Sequence, residues 1–292
     1  MNGYLHTALL ITVACLWAGA ASKAEEASFP VHTIGNSQLR DLPASANGKA
    51  YRLYVAVPYS YEDDPDETYP VLYLCDGYWD FTLFNGFYGN LHYDKVIPEF
   101  IIVGLGYQGD DPDYSALRRE DYTPVPEPDP EDDPDGKGSG HAKAFLSVLE
   151  QDIIPFIERE YRVDSDYRVL AGSSLGGLFS LYAMYTKPDL FQAYIAASPA
   201  AAWADDWLFD YEEAFAGNGG ELKARLFMTG AEKEWPEFLA NIKRFNERLQ
   251  TRNYPGWTYQ WRLIEGEKHA GTKAESYNRG TRFAFAPRAP EE

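Results

Sequence analysis

Apolar positions along the chain recur with two different periods, and they take turns. Tyr51-Arg52-Leu53-Tyr54-Val55-Ala56-Val57-Pro58 alternates at period two and predicts a strand. Val71-Leu72-Tyr73-Leu74-Cys75 and Phe100-Ile101-Ile102-Val103-Gly104-Leu105 are continuous apolar runs, as strands buried on both faces of a sheet require. Segments 167–171, 194–197, 224–228 and 257–263 predict further strands. Between them, Ala142, Phe145, Leu149, Ile153 and Phe156 recur at steps of three and four. That spacing predicts an amphipathic helix, which Pro155 should bend. Helical patterns also cover 177–185, 206–215, 237–252 and 272–285. Strands alternating with helices predict an α/β fold: a mostly parallel central sheet with helices on both faces, in a three-layer sandwich. No internal repeat and no second such alternation occurs, so residues 25–292 read as a single domain.

The N-terminus is different. Residues 8–20 form an uncharged apolar run, too short to span a bilayer and suited to a secretory signal. Small residues follow, with Ala18-Gly19-Ala20 or Ser22-Lys23-Ala24 as cleavage sites. Residues 1–24 are therefore expected to be removed on export to the periplasm or medium, with no membrane span left afterwards. The mature chain would begin near Glu25. It would keep one cysteine, Cys75, inside an apolar strand, where a thiol acts as a small hydrophobe.

The 292 residues carry a formal charge of −19. Such a balance argues against nucleic acid, whose binding needs clustered Lys and Arg, and against anionic membrane surfaces. The segment 109–138 holds eleven of the 45 carboxylates and six prolines without a sustained period. This segment reads as a long functional loop or lid.

Chemistry enters with Gly172-Ser173-Ser174-Leu175-Gly176. It fits G-x-S-x-G and lies between a predicted strand and a predicted helix, the context of a nucleophile elbow. Ser174 is the candidate nucleophile. A serine hydroxyl needs a base, and His269 is the sole histidine downstream. It sits in a loop after the last strand, where α/β-hydrolases carry the base. The acid should follow the strand at 226–228. Glu232 and Glu234 both qualify. Glu234 is preferred because Pro236 suits the first position of the next helix and leaves Glu234 late in the loop, with more reach. Glu232 is the alternative, and a Ser-His pair without an acid is the third possibility. Two backbone N–H groups must face the developing oxyanion. Leu175 supplies one, and Tyr78, in the turn after Cys75-Asp76-Gly77, is the candidate for the other.

These residues carry a resemblance. The chain resembles the putative-esterase branch of the α/β-hydrolases, which includes enterobactin-type siderophore esterases and esterase D-like enzymes. The matching segments are Pro70–Gly77, Arg119–Pro124, Phe145–Tyr161, Arg168–Gly177, Ala197–Ala200 and Gly266–His269, with Arg279-Gly280 beyond it. The resemblance implies a serine esterase with Ser174 as nucleophile, His269 as base, and Tyr78 and Leu175 as the oxyanion pair. It does not fix the acid, because carboxylate spacing after Gly230 varies in this branch.

The expected activity is hydrolysis of a small-molecule carboxylic ester, from a siderophore or an acyl- or feruloyl-type carbohydrate ester. An acyltransferase using the same acyl-enzyme, or a non-catalytic binding protein on this fold, are the rival readings. Arg118 and Arg119 offer bidentate donors to a substrate oxyanion or catecholate. Trp79 and Trp203 are candidate substrate contacts at strand ends. No cofactor is implied. The chain lacks H-E-x-x-H and C-x-x-C, and Glu131–Gly136 begins like a calcium loop but has Ala142 where the bidentate Glu belongs. Oligomeric state is not encoded in any pattern of this chain.

Overall fold

The protein is described by a computed structural model covering residues 33–290, apart from 44, 130 and 135. The expected export segment, residues 1–24, lies outside the described residues. From Ile34 onward the chain forms one compact unit.

Eight strands form one sheet in the order β1-β2-β4-β3-β5-β6-β7-β8. They are β1 (Ser37–Asp41), β2 (Tyr51–Ala56), β3 (Tyr69–Leu74), β4 (Ile101–Tyr107), β5 (Val163–Ser173), β6 (Ala193–Ala197), β7 (Arg225–Ala231) and β8 (Thr258–Ile264). β1 and β2 run antiparallel to their neighbours, and every other pairing is parallel. The continuous apolar runs are the central strands, and alternate residues feed opposite layers. Val71, Tyr73 and Cys75 join the core under one set of helices, while Leu72 and Leu74 join the other. The larger core packs against α3 (Ala142–Val148), α4 (Ile154–Glu160), α5 (Leu175–Thr186), α6 (Trp203–Gly217) and α7 (Pro236–Gln250). The smaller packs against α1 (Gly77–Tyr93) and α8 (Thr272–Phe285). This is the three-layer α/β sandwich that the alternation of periods predicts.

The sequence reading misses β1 and α1, and three further elements depart from it. The segment 109–138 is not all loop, because α2 (Tyr114–Tyr122) lies within it. Asp113 caps this helix by accepting from Ala116 N–H at 3.0 Å. Its anchor is polar: the buried Asp121 carboxylate takes Lys49 Nζ at 2.6 Å, Tyr51 OH at 2.9 Å and Tyr107 OH at 3.1 Å. A helix held down by a carboxylate shows no hydrophobic stripe. The tip beyond it is also tied, since Asp133 accepts from Ser139 OH and from Gly138 N–H. Second, the bend near Pro155 is a π turn over Leu149–Ile153, placed just before the proline. Proline lacks an N–H and its ring crowds the carbonyl four residues back, so a widened turn accommodates it. Third, β7 runs on through Thr229, Gly230 and Ala231, three residues further than the apolar pattern indicates.

The sharpest steric constraint lies between β5 and α5. A Cβ on Gly172 would stand 2.3 Å from the backbone oxygen of Gly176. Gly172→Ala is therefore expected to destabilise the fold by more than about 2 kcal/mol, the range of a forced backbone clash. Thermal or urea unfolding checks this, and an unchanged midpoint would mean that the turn has room to relax.

Candidate active site

Parallel strands deliver their carboxyl ends to one edge of the sheet, and ligands bind in the crevice there. Ser174 follows β5, Ser198 follows β6, Glu232 and Glu234 follow β7, and His269 follows β8. Four adjacent strands thus bring the sequence-predicted nucleophile, acid and base to the same rim.

Ser174 sits at φ 58° and ψ −118°, a conformation that a non-glycine residue adopts only under constraint. Its neighbours supply that constraint. Ser174 N–H donates to Ala197 O at 3.0 Å, and Ser174 O accepts from Leu178 N–H at 2.9 Å and Ala200 N–H at 3.1 Å. The close passage of strand and helix does the rest: a Cβ on Gly176 would meet Cys75 Cβ at 2.9 Å. Cys75 itself is fully buried, and burial pushes its thiol well above the ordinary value. It is packing, as its apolar surroundings in the sequence suggest.

His269 Nδ1 lies 2.9 Å from Glu234 Oε2. The Glu234 carboxylate is fully buried, whereas the His269 side chain keeps 22 % exposure and so remains open to a ligand. Glu234 Oε1 is buried with no partner. Glu232 is used differently. Its carboxylate accepts from Gly266 N–H at 2.7 Å and so fixes the turn after β8. Two backbone bonds hold the same loops together, Glu232 N–H to Ile264 O at 2.9 Å and Lys233 N–H to Glu267 O at 2.8 Å. Because β7 ends only at Ala231, the connecting loop is short and its last carboxylate is the one that reaches the imidazole.

Tyr78 and Leu175 occupy the first turns of α1 and α5. A backbone N–H there has no acceptor within its own helix. Asp76, in the left-handed region at φ 57° and ψ 40°, turns the chain into α1. Arg118 holds it, with Nε to Oδ1 at 2.7 Å and Nη2 to Oδ2 at 2.9 Å. Burial works against the Arg118 charge, and the Asp76 carboxylate more than offsets it, so its pKa is raised. Arg118 Nη2 also reaches Ser173 O at 3.4 Å. Tyr122 OH accepts from Asp76 N–H at 3.0 Å. One turn on, buried Asp80 takes Lys273 Nζ and Tyr277 OH, both at 2.7 Å, from the helix that follows His269. Burial raises the Asp80 pKa, and Lys273 pulls against that rise.

The expectation that Arg118 and Arg119 present free donors to a ligand is corrected here. Arg118 is taken by Asp76. Arg119 Nη1 donates to Asp132 O at 3.0 Å, and Nη2 stands 3.8 Å from Glu127. Arg119 also lies over the Trp203 ring, 5.9 Å from its centroid. Both guanidiniums are consumed by carboxylates and carbonyls that are distant or inconspicuous in sequence.

Trp79 remains 45 % exposed and Tyr78 52 %, with Tyr78 stacked on Tyr114 at 4.0 Å between centroids. Phe81, Phe84 and Tyr88 of the same aromatic segment are buried core. Trp203 donates its indole N–H to Val125 O at 2.9 Å and lines a cavity of about 520 Å³. Trp235 and Phe238 line that cavity too, and their rings pack on His269 at 5.2 and 5.1 Å. The sequence reading singles out neither. The available signal is position alone, since both flank the start of α7 directly after Glu234. A larger groove, about 730 Å³ between later turns of α1 and α8, contains none of the predicted site residues.

Residues 44–259 match the family model described as "Putative esterase". The chain is 29 % identical over 280 residues to the ferri-bacillibactin esterase BesA of Bacillus subtilis, covering 88 % of this chain and 92 % of that one. Among solved structures, a BES protein from Bacillus cereus is similar with a TM-score of 0.77 at 27 % identity, covering 88 % of this chain and 97 % of that one. An IroE-like serine hydrolase from Shewanella oneidensis also aligns with a TM-score of 0.77 at 26 % identity, over 87 % of this chain and 82 % of that one. With the family model covering most of the sheet and relatives matched nearly end to end, the chain belongs to the putative esterase family of carboxylic-ester hydrolases.

Proposed function

We propose that the protein cleaves its ester through an acyl-enzyme, with Ser174 as nucleophile, His269 as general base and Glu234 as the acid that orients it. The observation carrying this reading is the 2.9 Å contact from His269 Nδ1 to buried Glu234. It leaves Nε2 as the imidazole nitrogen available to the serine, on the rim where Ser174 is held in a strained turn. In this mechanism Ser174 Oγ attacks the ester carbonyl carbon and its proton passes to His269 Nε2. The carbonyl oxygen becomes an oxyanion facing the N–H groups of Tyr78 and Leu175. The tetrahedral species collapses, and His269 gives its proton to the departing alkoxide. Water then attacks the acyl-enzyme as His269 takes one of its protons, and the second tetrahedral species collapses, releasing the acid while His269 returns that proton to Ser174 Oγ.

The substrate we propose is a small-molecule ester of the siderophore class, on the ground that similar proteins are named as siderophore esterases. Residues 1–24 serve as an export signal in this proposal. The stretch around Val125–Asp133 acts as a cover, in keeping with the Trp203–Val125 hydrogen bond and with Glu127 and Pro128 in the cavity wall.

Ser174→Ala is expected to abolish turnover of p-nitrophenyl esters while leaving the thermal midpoint nearly unchanged, since only one hydroxyl is lost. His269→Ala should lose on the order of 10³-fold or more in kcat. Residual activity within about tenfold of the parent in either variant would remove that residue from its role.

The two glutamates separate cleanly. Glu234→Gln should lower kcat by up to about 10⁴-fold, because the imidazole loses the carboxylate that sets its tautomer. Glu232→Gln removes a bond to Gly266 N–H and should cost stability before turnover. Steady-state kinetics beside urea unfolding reads both effects. Near-normal turnover in Glu234→Gln would make the enzyme a Ser-His pair.

A further inference from the structure

The cavity beside His269 has a one-sided charge. Glu127, Asp205 and Glu237 line it, and no Lys, Arg or His does. Neither Asp205 nor Glu237 forms an ion pair or side-chain hydrogen bond among the described residues. Glu127 alone has a cation near it, Arg119 at 3.8 Å. Arg244, three residues past Asn241 of the wall, is held by Asp206 at 2.5 Å. Lys233 and Lys268 do not line it; they stand in the loops after β7 and β8, which also carry Glu232, Glu265 and Glu267. The other wall is aromatic, formed by Trp203, Trp235 and Phe238.

Recognition of an anion calls for convergent arginines or helix N-termini with free donors. The arginines of this rim are bound elsewhere, Arg118 to Asp76 and Arg119 to Asp132 O beside Glu127. Aromatic faces beside carboxylates suit the opposite sign, because the ring quadrupole attracts cations. The wall already does so once, with Arg119 over Trp203.

We propose that the part of the ester seated in this cavity is uncharged or cationic, and that anionic esters are selected against. This rests on the esterase reading above, since the cavity is taken as the substrate's place beside His269. An iron(III) tris-catecholate complex carries three negative charges, whereas the metal-free catechol ester is close to neutral. The chain therefore acts on an iron-free or otherwise uncharged ester, or one bearing an amine.

Three p-nitrophenyl esters of equal acyl length test this, ending in trimethylammonium, tert-butyl or sulfonate. At low ionic strength kcat/KM should fall in that order, by roughly tenfold or more from cation to anion given two unbalanced carboxylates. The spread should shrink as salt rises. In Asp205→Asn/Glu237→Gln the cation-to-anion ratio should move toward one. A catechol trilactone should be cleaved faster without iron(III) than as its ferric complex. Equal rates for the three esters, or preference for the sulfonate, would overturn the proposal while leaving the esterase reading intact. Failure to cleave any of them would instead strike the esterase reading, and the charge preference with it.

Discussion

The ion pair between Asp76 and Arg118 is the contact on which the geometry of the rim depends. Asp76 turns the chain out of β3 in a left-handed conformation, and the next residues begin α1 and present Tyr78 N–H. Arg118 grips both carboxylate oxygens and reaches Ser173 O, one residue before the nucleophile candidate. A single guanidinium thus joins the turn before α1, the serine turn and α2. Its value is geometric more than energetic. A buried ion pair returns little net stability against an apolar replacement, but removing one partner strands a buried charge at a cost of about 3–5 kcal/mol. The pair is therefore hard to dismantle singly. Asp80 repeats the device one turn later, binding Lys273 and Tyr277 of the helix that follows His269. Through these two carboxylates, the first turn of α1 is fixed to the elements that carry Ser174 and His269.

The same contacts explain why an acidic protein keeps so few free arginines at its rim. Each arginine near the site neutralises an internal carboxylate that folding has buried or half-buried. The carboxylates left over, Asp205 and Glu237, face the cavity. Overall charge alone would say little, because exposed charges are screened beyond about 8 Å at physiological salt. Asp205 and Glu237 are exposed and screened like other surface charges, so it is their place on one wall beside the aromatic rings, within that distance of a seated ligand, that gives the proposed charge preference its range.

What is legible in the chain follows from what each element buries. The central strands declare themselves because Val71–Leu74 and Ile101–Tyr107 are buried throughout, which requires unbroken apolar runs. Ser174 and His269 stand out because one lies in a glycine-bounded turn and the other has no downstream competitor. The helix α1 is hidden because its 17 residues are aromatic around much of their circumference, so no stripe emerges. The helix α2 is hidden because it docks through Asp121 and Tyr122, and a buried carboxylate reads as a surface residue. The pairing of Arg118 with Asp76 spans 42 residues and leaves no periodic trace. Trp235 and Phe238 escape notice for a related reason: aromatics at the start of a helix look like core until the fold places them against an imidazole.

Glu234 follows β7 and faces His269. Its carboxylate is fully buried, and of its two oxygens only Oε2 has a partner, His269. Leaving a buried acceptor unpaired costs about 1–3 kcal/mol, so an atom so placed calls for an explanation. In the proposed reaction the arrangement has a use. Before attack the carboxylate faces a neutral imidazole and is poorly compensated. When His269 accepts the serine proton it becomes a cation, and the same contact turns into a charge pair in a low-dielectric setting. Backbone donors on Oε1 would have satisfied the carboxylate equally at every stage. In the proposed reaction it is the charge gained by the imidazole that makes the Glu234–His269 interaction stronger in the transition state than in the resting enzyme. An interaction accelerates the chemical step only through that difference.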